Sequence, residues 1–516
     1  MTSRRDELNA YTFAKKRTVA AFLQPSPSGT EEGAPKPLRA ILPGLIVAAL
    51  IVAGFGAFGM FKPQAPKGWD TPGTRVVVGK QSTTRYVVLR TGEGEAAKTL
   101  LHPVLNLASA RLLLDPDQFQ VVQVADKTLD KGEPPRGPIL GIPYAPDRLP
   151  SAEEAGKAKR WAVCEQPGGG AGASVQKAAF LFAERDLKRT EGDGRLKDGQ
   201  ILYVKGQKDA ARFLVDHTGT KYPVKAGSPG LLTALVGLGK EPQPVTDDWL
   251  ATLKTGDEVD FPRIDGRVGD PAGVPGGALD ETENRIGMVL LAETGSGPQH
   301  YVVLAGRVQP VSPFTAWLVI SSPQTGVLDM DGRPIPVDAS SVDPDPTPFH
   351  AQVRWPRLKS AQVNATTGAG ARDTVCSVLT GVDDKGGATL TTWAGTEYPA
   401  DIATGGTSTY VTPGTGLLYT QVQGAGRQAP DGSLFLVTDT GLRYAVQANG
   451  DSDSARSDIG TGDKEKPTDG RPEPSDAQKR LGYGKVTPAL VPIAWSEFLS
   501  KGPRLDTNSA RQPQGS

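Results

Sequence analysis

Residues Ala40 to Phe61 (AILPGLIVAALIVAGFGAFGMF) run for 22 positions without a charged side chain. As a helix rising about 1.5 Å per residue, such a stretch spans about 33 Å, enough for a hydrocarbon core of about 30 Å. A Lys, Arg or Asp at its centre would oppose insertion by about 2.5–3.5 kcal/mol, and none is present. Pro43 and Gly44 near its start and Gly54, Gly56 and Gly59 towards its end are tolerated in lipid, where small residues permit close helix packing. The competing reading is a cleaved signal peptide, with Ala57-Phe58-Gly59 as a small-x-small site. The 39-residue charged leader and the 22-residue apolar core are both too long for that pattern, so the stretch reads as an uncleaved anchor.

The remaining chain, residues 62–516, can hold several domains. Lys plus Arg and Asp plus Glu each number 57, which gives no charge argument for nucleic acid or for an acidic partner. With 62 Gly, 44 Pro and 6% aromatics, the composition favours short strands and many turns over helical bundles. The two cysteines, Cys164 and Cys376, both follow the apolar stretch. They read either as one disulfide in an exported region or as two unrelated buried thiols. Basic residues do not settle orientation: Lys36 and Arg39 precede the stretch closely, while Lys62, Lys67, Arg75 and Lys80 follow it. The cysteines favour an inside N-terminus and an outside C-terminal region.

Residues 4–23 carry Leu8, Tyr11, Val19 and Phe22 at helical spacing, together with Arg4, Arg5, Lys15, Lys16 and Arg17. That pattern reads as an amphipathic helix docking on a partner or on the inner membrane surface, or as a plain solvated helix. From Arg75 onward the pattern turns to strands. FLVDHTGTKYPV (213–224) and FLVTDTGLRYAV (435–446) share seven of twelve positions, each a hairpin whose TG turn uses glycine for a positive φ. Downstream, DDWLATLKTGDEVD aligns with IAWSEFLSKGPRLD through Trp249 and Trp495. The second copy is longer by about the length of a polar insert at 450–475, expected to be disordered. This is an internal duplication. Weaker copies begin near Tyr86 and Arg285. The expected organisation begins with a tail (1–39), the anchor (40–61), a linker (62–73) and repeat 1 (74–135). A central domain then enters with a first segment (136–199), is interrupted by repeat 2 (200–265) and repeat 3 (285–340), and returns with a second segment (341–429). Repeat 4 (430–506) and a disordered tail (507–516) close the chain.

Signatures of catalysis fail one by one. Gly79-Lys80 lacks the preceding glycine of a phosphate loop, and Gln81 replaces the hydroxyl residue that would meet magnesium. Gly168-Gly169-Gly170-Ala171-Gly172 reads as a flexible loop. Gly414-Thr415-Gly416 lacks the third glycine of a dinucleotide fingerprint, and no Gly-x-Ser-x-Gly elbow occurs. His102, His217, His300 and His350 stand apart from any second ligand at metal spacing. Asp451 and Asp453 resemble a calcium loop, but Arg456 and Gly462 stand where Gly and Glu are required. Trp161, Trp249, Trp355, Trp393 and Trp495 read as core anchors. The expectation is no catalytic residue, no cofactor site and no metal site.

The leader RRDELNAYTFAKKRTVAAFL, the single apolar stretch, GPILGIPYAPDRLP followed by WAVC, then RWPRL, TVC, TPGTGLLYTQV and LGYGKVTPALVPIAWSEFLSKGPRLD together resemble the EccB family of type VII (ESX) secretion systems. The resemblance implies an α+β fold: a single transmembrane helix followed by an elongated extracytoplasmic region, with a disulfide-stapled central domain and four small α/β repeat domains. It implies that Cys164 and Cys376 form that disulfide. It also implies a cytosolic N-terminal helix, a homodimer or higher oligomer, and assembly in the cell membrane with EccC-, EccD- and EccE-like components and a mycosin protease. The repeats resemble a wall-binding subunit of a phage lysin, which raises peptidoglycan as a partner. The expected role is to scaffold the export complex. ATP hydrolysis by the outer region and cell-wall binding are the alternatives, and each is judged against the residues present.

Overall fold

The computed structural model describes residues 4–23, 38–61, 65–92, 97–168, 174–276, 278–368, 370–402, 407–423, 432–447 and 474–514, with the side chains of 38–40 and 57–61 left aside. Two compact units result, Met1–Lys67 and Gly68–Ser516. The leader segment 24–37 and nearly all of the 450–475 insert lie outside the described residues.

The first unit holds helices α1 (Arg4–Leu23) and α2 (Leu38–Phe61). No residue of α1 is buried. At about 100° per residue, Lys15 projects within about 20° of Leu8, so basic and apolar side chains share one face. The helix forms as expected, but it is not two-faced. Among the described residues no helix is long and apolar enough to cross a membrane. In α2 the described side chains cover 41–56, about 24 Å of rise against a core of about 30 Å. The helix backbone itself continues over 24 residues, and Ile41, Leu42, Leu45, Val52 and Phe55 are each more than half exposed in the isolated chain.

The second unit begins with β1 (Arg75–Gly79), β2 (Arg85–Thr91), β3 (Lys98–Pro103), α3 (Leu107–Leu113), β4 (Gln120–Val124) and α4 (Asp126–Leu129). Then come α5 (Ala152–Gly156), β5 (Arg160–Gln166) and β6 (Gln176–Phe182). Next are β7 (Gln200–Gly206), β8 (Arg212–Asp216), β9 (Thr220–Pro223), α6 (Leu231–Val236), β10 (Gln243–Val245), α7 (Asp247–Ala251) and β11 (Lys254–Thr255). They are followed by β12 (Val289–Thr294), β13 (Gly297–Leu304), β14 (Arg307–Val311), α8 (Pro313–Ser321), β15 (Ile335–Val337) and β16 (Ala361–Gln362). The chain closes with β17 (Thr374–Val382), β18 (Ala388–Gly395), β19 (Thr409–Val411), β20 (Leu417–Val422), β21 (Leu434–Val437), β22 (Leu442–Ala445), α9 (Asp476–Arg480), β23 (Ala489–Pro492), α10 (Ile493–Ser496), β24 (Ser500–Lys501) and α11 (Thr507–Ala510).

Four of the sheets share one wiring. Three antiparallel strands form a meander, a short helix follows, and a fourth strand returns parallel beside the first: β3-β2-β1-β4, β9-β8-β7-β10, β14-β13-β12-β15 and β22-β21-β20-β23. In each, a further extended segment bridges the third strand in parallel: Leu101 to Arg136, Val224 to Val259, Val308 to Pro344 and Val446 to Leu505. Sequence comparison finds the second and fourth copies easily, because they share the TG hairpin and the tryptophan. The first and third share only the wiring. Strand β20 opens the sheet of the fourth copy, so that unit starts near residue 417 and not at 430. The tail beyond 506, expected to be disordered, forms α11, with Thr507 and Ala510 buried and Pro513 bridged to Leu140.

The fifth sheet, β18-β17-β5-β6-β19, joins strands from two distant stretches of chain. Alternating residues of β5 and β17 serve opposite faces. Trp161, Val163, Val375 and Leu379 join one apolar cluster, while Ala162, Cys164, Cys376 and Val378 join another. Because both faces are covered, the strands read as unbroken apolar runs. Cys164 and Cys376 are direct cross-strand partners, joined as a disulfide with a Cα–Cα distance of 4.0 Å, and both are fully buried.

That bond closes a loop of sequence separation 212. In the chain-entropy view it removes about 5 kcal/mol of unfolded-state freedom. Cys164→Ser is therefore expected to lower the melting temperature of the oxidised full chain, and adding reductant after unfolding to bring the wild type down to the same value; differential scanning fluorimetry reads both.

Candidate functional site: the clamp on the disulfide-closed sheet

The duplicated elements converge on the disulfide-closed sheet. Its one face shares a single apolar cluster with Leu202, Val204, Val215 and Trp249 from the second copy and with Leu417, Tyr419, Val437 and Trp495 from the fourth. Trp161 meets Tyr419 edge-on, with ring centroids 5.6 Å apart. The Trp249 indole N–H donates to the Val163 carbonyl at 3.1 Å. At the start of α7 the Thr246 backbone N–H donates to the Glu165 carboxylate at 2.8 Å, and its hydroxyl donates to the other carboxylate oxygen. Glu165 is fully buried, and that burial pushes its pKa up against the opposing effect of the Thr246 bonds. An exposed Lys177–Asp248 ion pair at 2.8 Å adds a second tie at the same helix.

The two TG turns hold the sheet at its two edges. Gly219 has φ +72°, and a Cβ there would come within 2.6 Å of Leu390 Cβ on edge strand β18. The Thr392 hydroxyl donates to the Asp216 carbonyl at 2.6 Å, and the Thr392 N–H to the His217 carbonyl at 3.2 Å. Gly441 has φ +79°, and a Cβ there would approach Thr407 and lie 2.9 Å from the Thr409 carbonyl oxygen beside edge strand β19. Exposed edges invite pairing with other chains, and here the edges are covered by hairpin turns. Glycine is needed twice over in each turn, for backbone sign and for closeness.

Beyond the clamp, the copies pair again. The first and fourth share a cluster containing Val76, Leu112, Leu436 and Tyr483, and Arg111 and Arg480 each reach a backbone carbonyl on the opposite copy, at Leu481 and Leu114. The second and third share Tyr203, Leu214, Phe314 and Leu318, with the Trp317 indole donating to the Ala234 carbonyl. RWPRL crosses this second junction: Arg354 pairs with Asp257 at 3.2 Å and Trp355 Nε1 donates to the Glu258 carbonyl. A cavity of about 360 Å³ lies there, lined by Asp198, Asp216, Tyr222, Trp355 and Arg357 among others. Its one phenol, Tyr222, donates to the Asp216 carboxylate at 2.9 Å.

The remaining residues singled out in the sequence fall into structural settings. Behind Gly79-Lys80, the backbone N–H groups of Gln81 and Ser82 and the Ser82 hydroxyl all donate to the Asp126 carboxylate, at 2.7, 3.1 and 2.7 Å. The loop's donors are thus taken by an anion of this chain. Gly414 N–H donates to Asp439 at 2.9 Å. Residues 169–172 of the glycine run, and Asp451, Asp453, Arg456 and Gly462, lie outside the described residues. Among the described residues no group of three His, Cys, Asp or Glu is placed to hold a metal. Trp161, Trp249, Trp393 and Trp495 are buried; Trp355 is half-buried at the cavity, stacked on His350 with centroids 5.4 Å apart and packed against the cluster shared by the second and third copies. The four histidines are dispersed. Sequence reasoning missed Glu165 and Thr246, since nothing in WAVCEQ marks a buried acid whose partner comes 81 positions later.

Two tests follow from these settings. Gly219→Ala and Gly441→Ala each place a side chain at positive φ against the neighbouring edge, and each is expected to lower unfolding stability by about 2–3 kcal/mol in urea titrations. Separately, burial lowers the pKa of His102, His300 and His350, so between the unfolded value near 6.5 and their folded values the unfolded chain binds more protons. Stability should fall as pH drops from 6.5 towards 5, by at most about 1.4 kcal/mol per pH unit per histidine. Glu165, raised in the fold, takes up a proton there first and opposes the trend, so Glu165→Gln should steepen the fall.

A family profile described as type VII secretion system ESX-1, transport TM domain B, matches residues 1–515. The chain is 28% identical over 442 residues to the ESX-3 secretion system ATPase EccB3 of Mycolicibacterium smegmatis, covering 79% of this chain and 75% of that protein. It is 26% identical over 501 residues to the protein of the same name from Mycobacterium tuberculosis, covering 92% and 82%. Its fold is similar to a chain in an EccB3 dimer from the ESX-3 core complex, with TM-score 0.55, 23% identity and coverage of 85% and 99%. It is also similar to a chain of an intact ESX-5 inner membrane complex, with TM-score 0.56, 20% identity and coverage of 100% and 96%.

Proposed function

The chain belongs to the EccB family of type VII (ESX) secretion components, and we propose that it scaffolds the extracytoplasmic part of an inner-membrane export complex. In this reading α2 is the single span. A helix apolar on all sides has no stable place in water, and Leu38–Phe61 needs an apolar solvent or apolar neighbours. Helix α1 lies in the cytosol, where its mixed basic and apolar surface docks on a partner or on anionic headgroups. The region from Gly68 lies outside, as a central disulfide-closed domain and four repeat domains: copies one to four of the shared wiring. The chain associates with further copies of itself and with EccC-, EccD- and EccE-like components and a mycosin protease.

The observation that carries this reading is the clamp. Duplicated hairpins and tryptophans are spent on holding a cross-linked sheet at both edges and on one face. Such an arrangement fixes the relative positions of domains. The disulfide also needs an oxidising compartment, which the outer side of the membrane supplies.

The relatives carry ATPase in their names. For this chain we favour scaffolding over hydrolysis, because the amides behind Gly79-Lys80 already serve Asp126. Purified full chain is expected to show no ATP turnover above a heat-inactivated control. Turnover abolished by Asp126→Asn would reverse that choice. Cell-wall binding remains a separate role for the repeats, and retention of the chain on isolated peptidoglycan reports it directly.

Topology has its own test. In intact cells, a membrane-impermeant maleimide should label Leu238→Cys, whose side chain is 88% exposed, and should label Phe22→Cys, 90% exposed, only after lysis. Labelling of both, or of Phe22→Cys alone, before lysis would overturn the orientation.

A further inference from the structure

The cavity of about 360 Å³ beside the RWPRL strap has the size of a small-molecule site, about 300–1,000 Å³. Its walls are tied in place. The Arg354 N–H donates to Asp257 at 2.7 Å where the strap begins, and the Ala361 N–H donates to the Gly199 carbonyl at 2.8 Å after it ends. Between them the Phe314 N–H donates to the Arg357 carbonyl at 3.1 Å. The hairpin turn of the second copy supplies a further wall through Asp216, His217 and Thr218. There the Asp216 carboxylate is fully spent: it accepts from the Thr218 N–H and hydroxyl, the Thr220 N–H and the Tyr222 hydroxyl, at 2.7–3.0 Å.

Three other polar groups of the lining are not spent. The Asp198 carboxylate accepts no hydrogen bond among the described residues, and His217 Nδ1 stands 3.8 Å from it. The Arg357 guanidinium, exposed at the rim, makes neither a hydrogen bond nor an ion pair among them. Gln200 accepts from the Lys197 N–H at 2.9 Å, which leaves its amide N–H groups to donate elsewhere. At the junction of the first and fourth copies, by contrast, Arg111 and Arg480 are both used to tie the copies together. Trp355 adds ring surface and no donor, since its N–H goes to the Glu258 carbonyl at 3.0 Å. These groups select by chemistry. An anion meets Asp198 and Asp216, and a cation meets Arg357. A hydroxyl both donates and accepts, so a neutral ring bearing several satisfies the carboxylate, the guanidinium and the amide together while its C–H face lies on the indole. A zwitterion balances the two charges but leaves the amide and the indole unused.

We propose that this cavity binds a sugar unit, with Asp198 accepting from its hydroxyls, Arg357 and Gln200 donating to them, and Trp355 covering its C–H face. The site is independent of the scaffolding role, which co-purification of the complex reads separately. Full chain, purified in a detergent without a sugar headgroup, is titrated with cellobiose, maltose and N-acetylglucosamine, and with alanine as the zwitterion. Binding is followed by saturation-transfer NMR and by calorimetry. At least one of the sugars is expected to bind with a Kd of about 1 mM or tighter, and alanine is not. Asp198→Ala and Arg357→Ala are each expected to raise that Kd by at least about tenfold, because each removes a charged hydrogen-bonding group. Neither is expected to change the melting temperature of the free chain, since both side chains are exposed. Failure of all three sugars to bind overturns the proposal, as does alanine binding in their place. Sugar binding that survives both substitutions belongs to another surface and overturns it too.

Discussion

The Cys164–Cys376 pair fixes what the rest of the second unit can do. It joins β5 to β17, strands 212 positions apart, at the middle of a sheet whose outer strands β18 and β19 come from the later stretch of chain. Everything from β7 to β16, the second and third repeats included, is therefore contained in the closed loop. Loop-closure entropy grows only slowly with length, so a covalent tie makes so large an insertion tolerable while keeping its ends in register. Because the pair is fully buried, reductant reaches it only through unfolding.

The clamp turns that tie into a fixed geometry. A two-faced sheet with bare edges would template association with other chains. Here the edge at β18 meets the Gly219 turn and the edge at β19 meets the Gly441 turn, while Trp249 and Trp495 share the same cluster on one face. The two copies keep one further feature. Lys221 lies over Phe213 and Arg443 over Phe435, and each cation reaches the short tryptophan helix, at the Leu250 carbonyl and at the Ser496 hydroxyl. The turns themselves have diverged: Asp216 accepts from Thr218 and Thr220, whereas the fourth copy uses a Thr438–Thr440 hydroxyl pair. What stayed is the set of contacts that grips the sheet.

Much of this was legible in the sequence where the chemistry is local. A TG turn demands glycine, and a buried tryptophan leaves a strong mark, so the second and fourth copies announce themselves. The cysteines and the family resemblance point to the tie. Where pairing is non-local, the sequence is mute. Strand β20 pairs antiparallel with its neighbour β21, but its other edge is filled by β23, some seventy residues later in the chain. The tail after Asp506 has a polar composition, yet Ala510 is buried and α11 packs where Leu140 and α3 of the first copy receive it. The α1 stripe was readable as a spacing of apolar residues, but the basic residues on the same face become evident only when the helix is projected.

The distribution of used and unused surface follows from the same wiring. The second and fourth copies share apolar clusters with the disulfide-closed sheet and with a neighbouring copy, so their faces are consumed inside the unit. The first and third each share a cluster with one other copy. A repeat that has lost the TG hairpin and the tryptophan is freed from gripping the sheet, and its loops can diverge. In the first copy that freedom is visible in the segment after β4 and α4, where Asn106 and Ser109 hold the Ile142 backbone and the Tyr144 side chain is exposed. Duplication thus supplies two kinds of module from one topology, one committed to holding the sheet and one available for contacts beyond it.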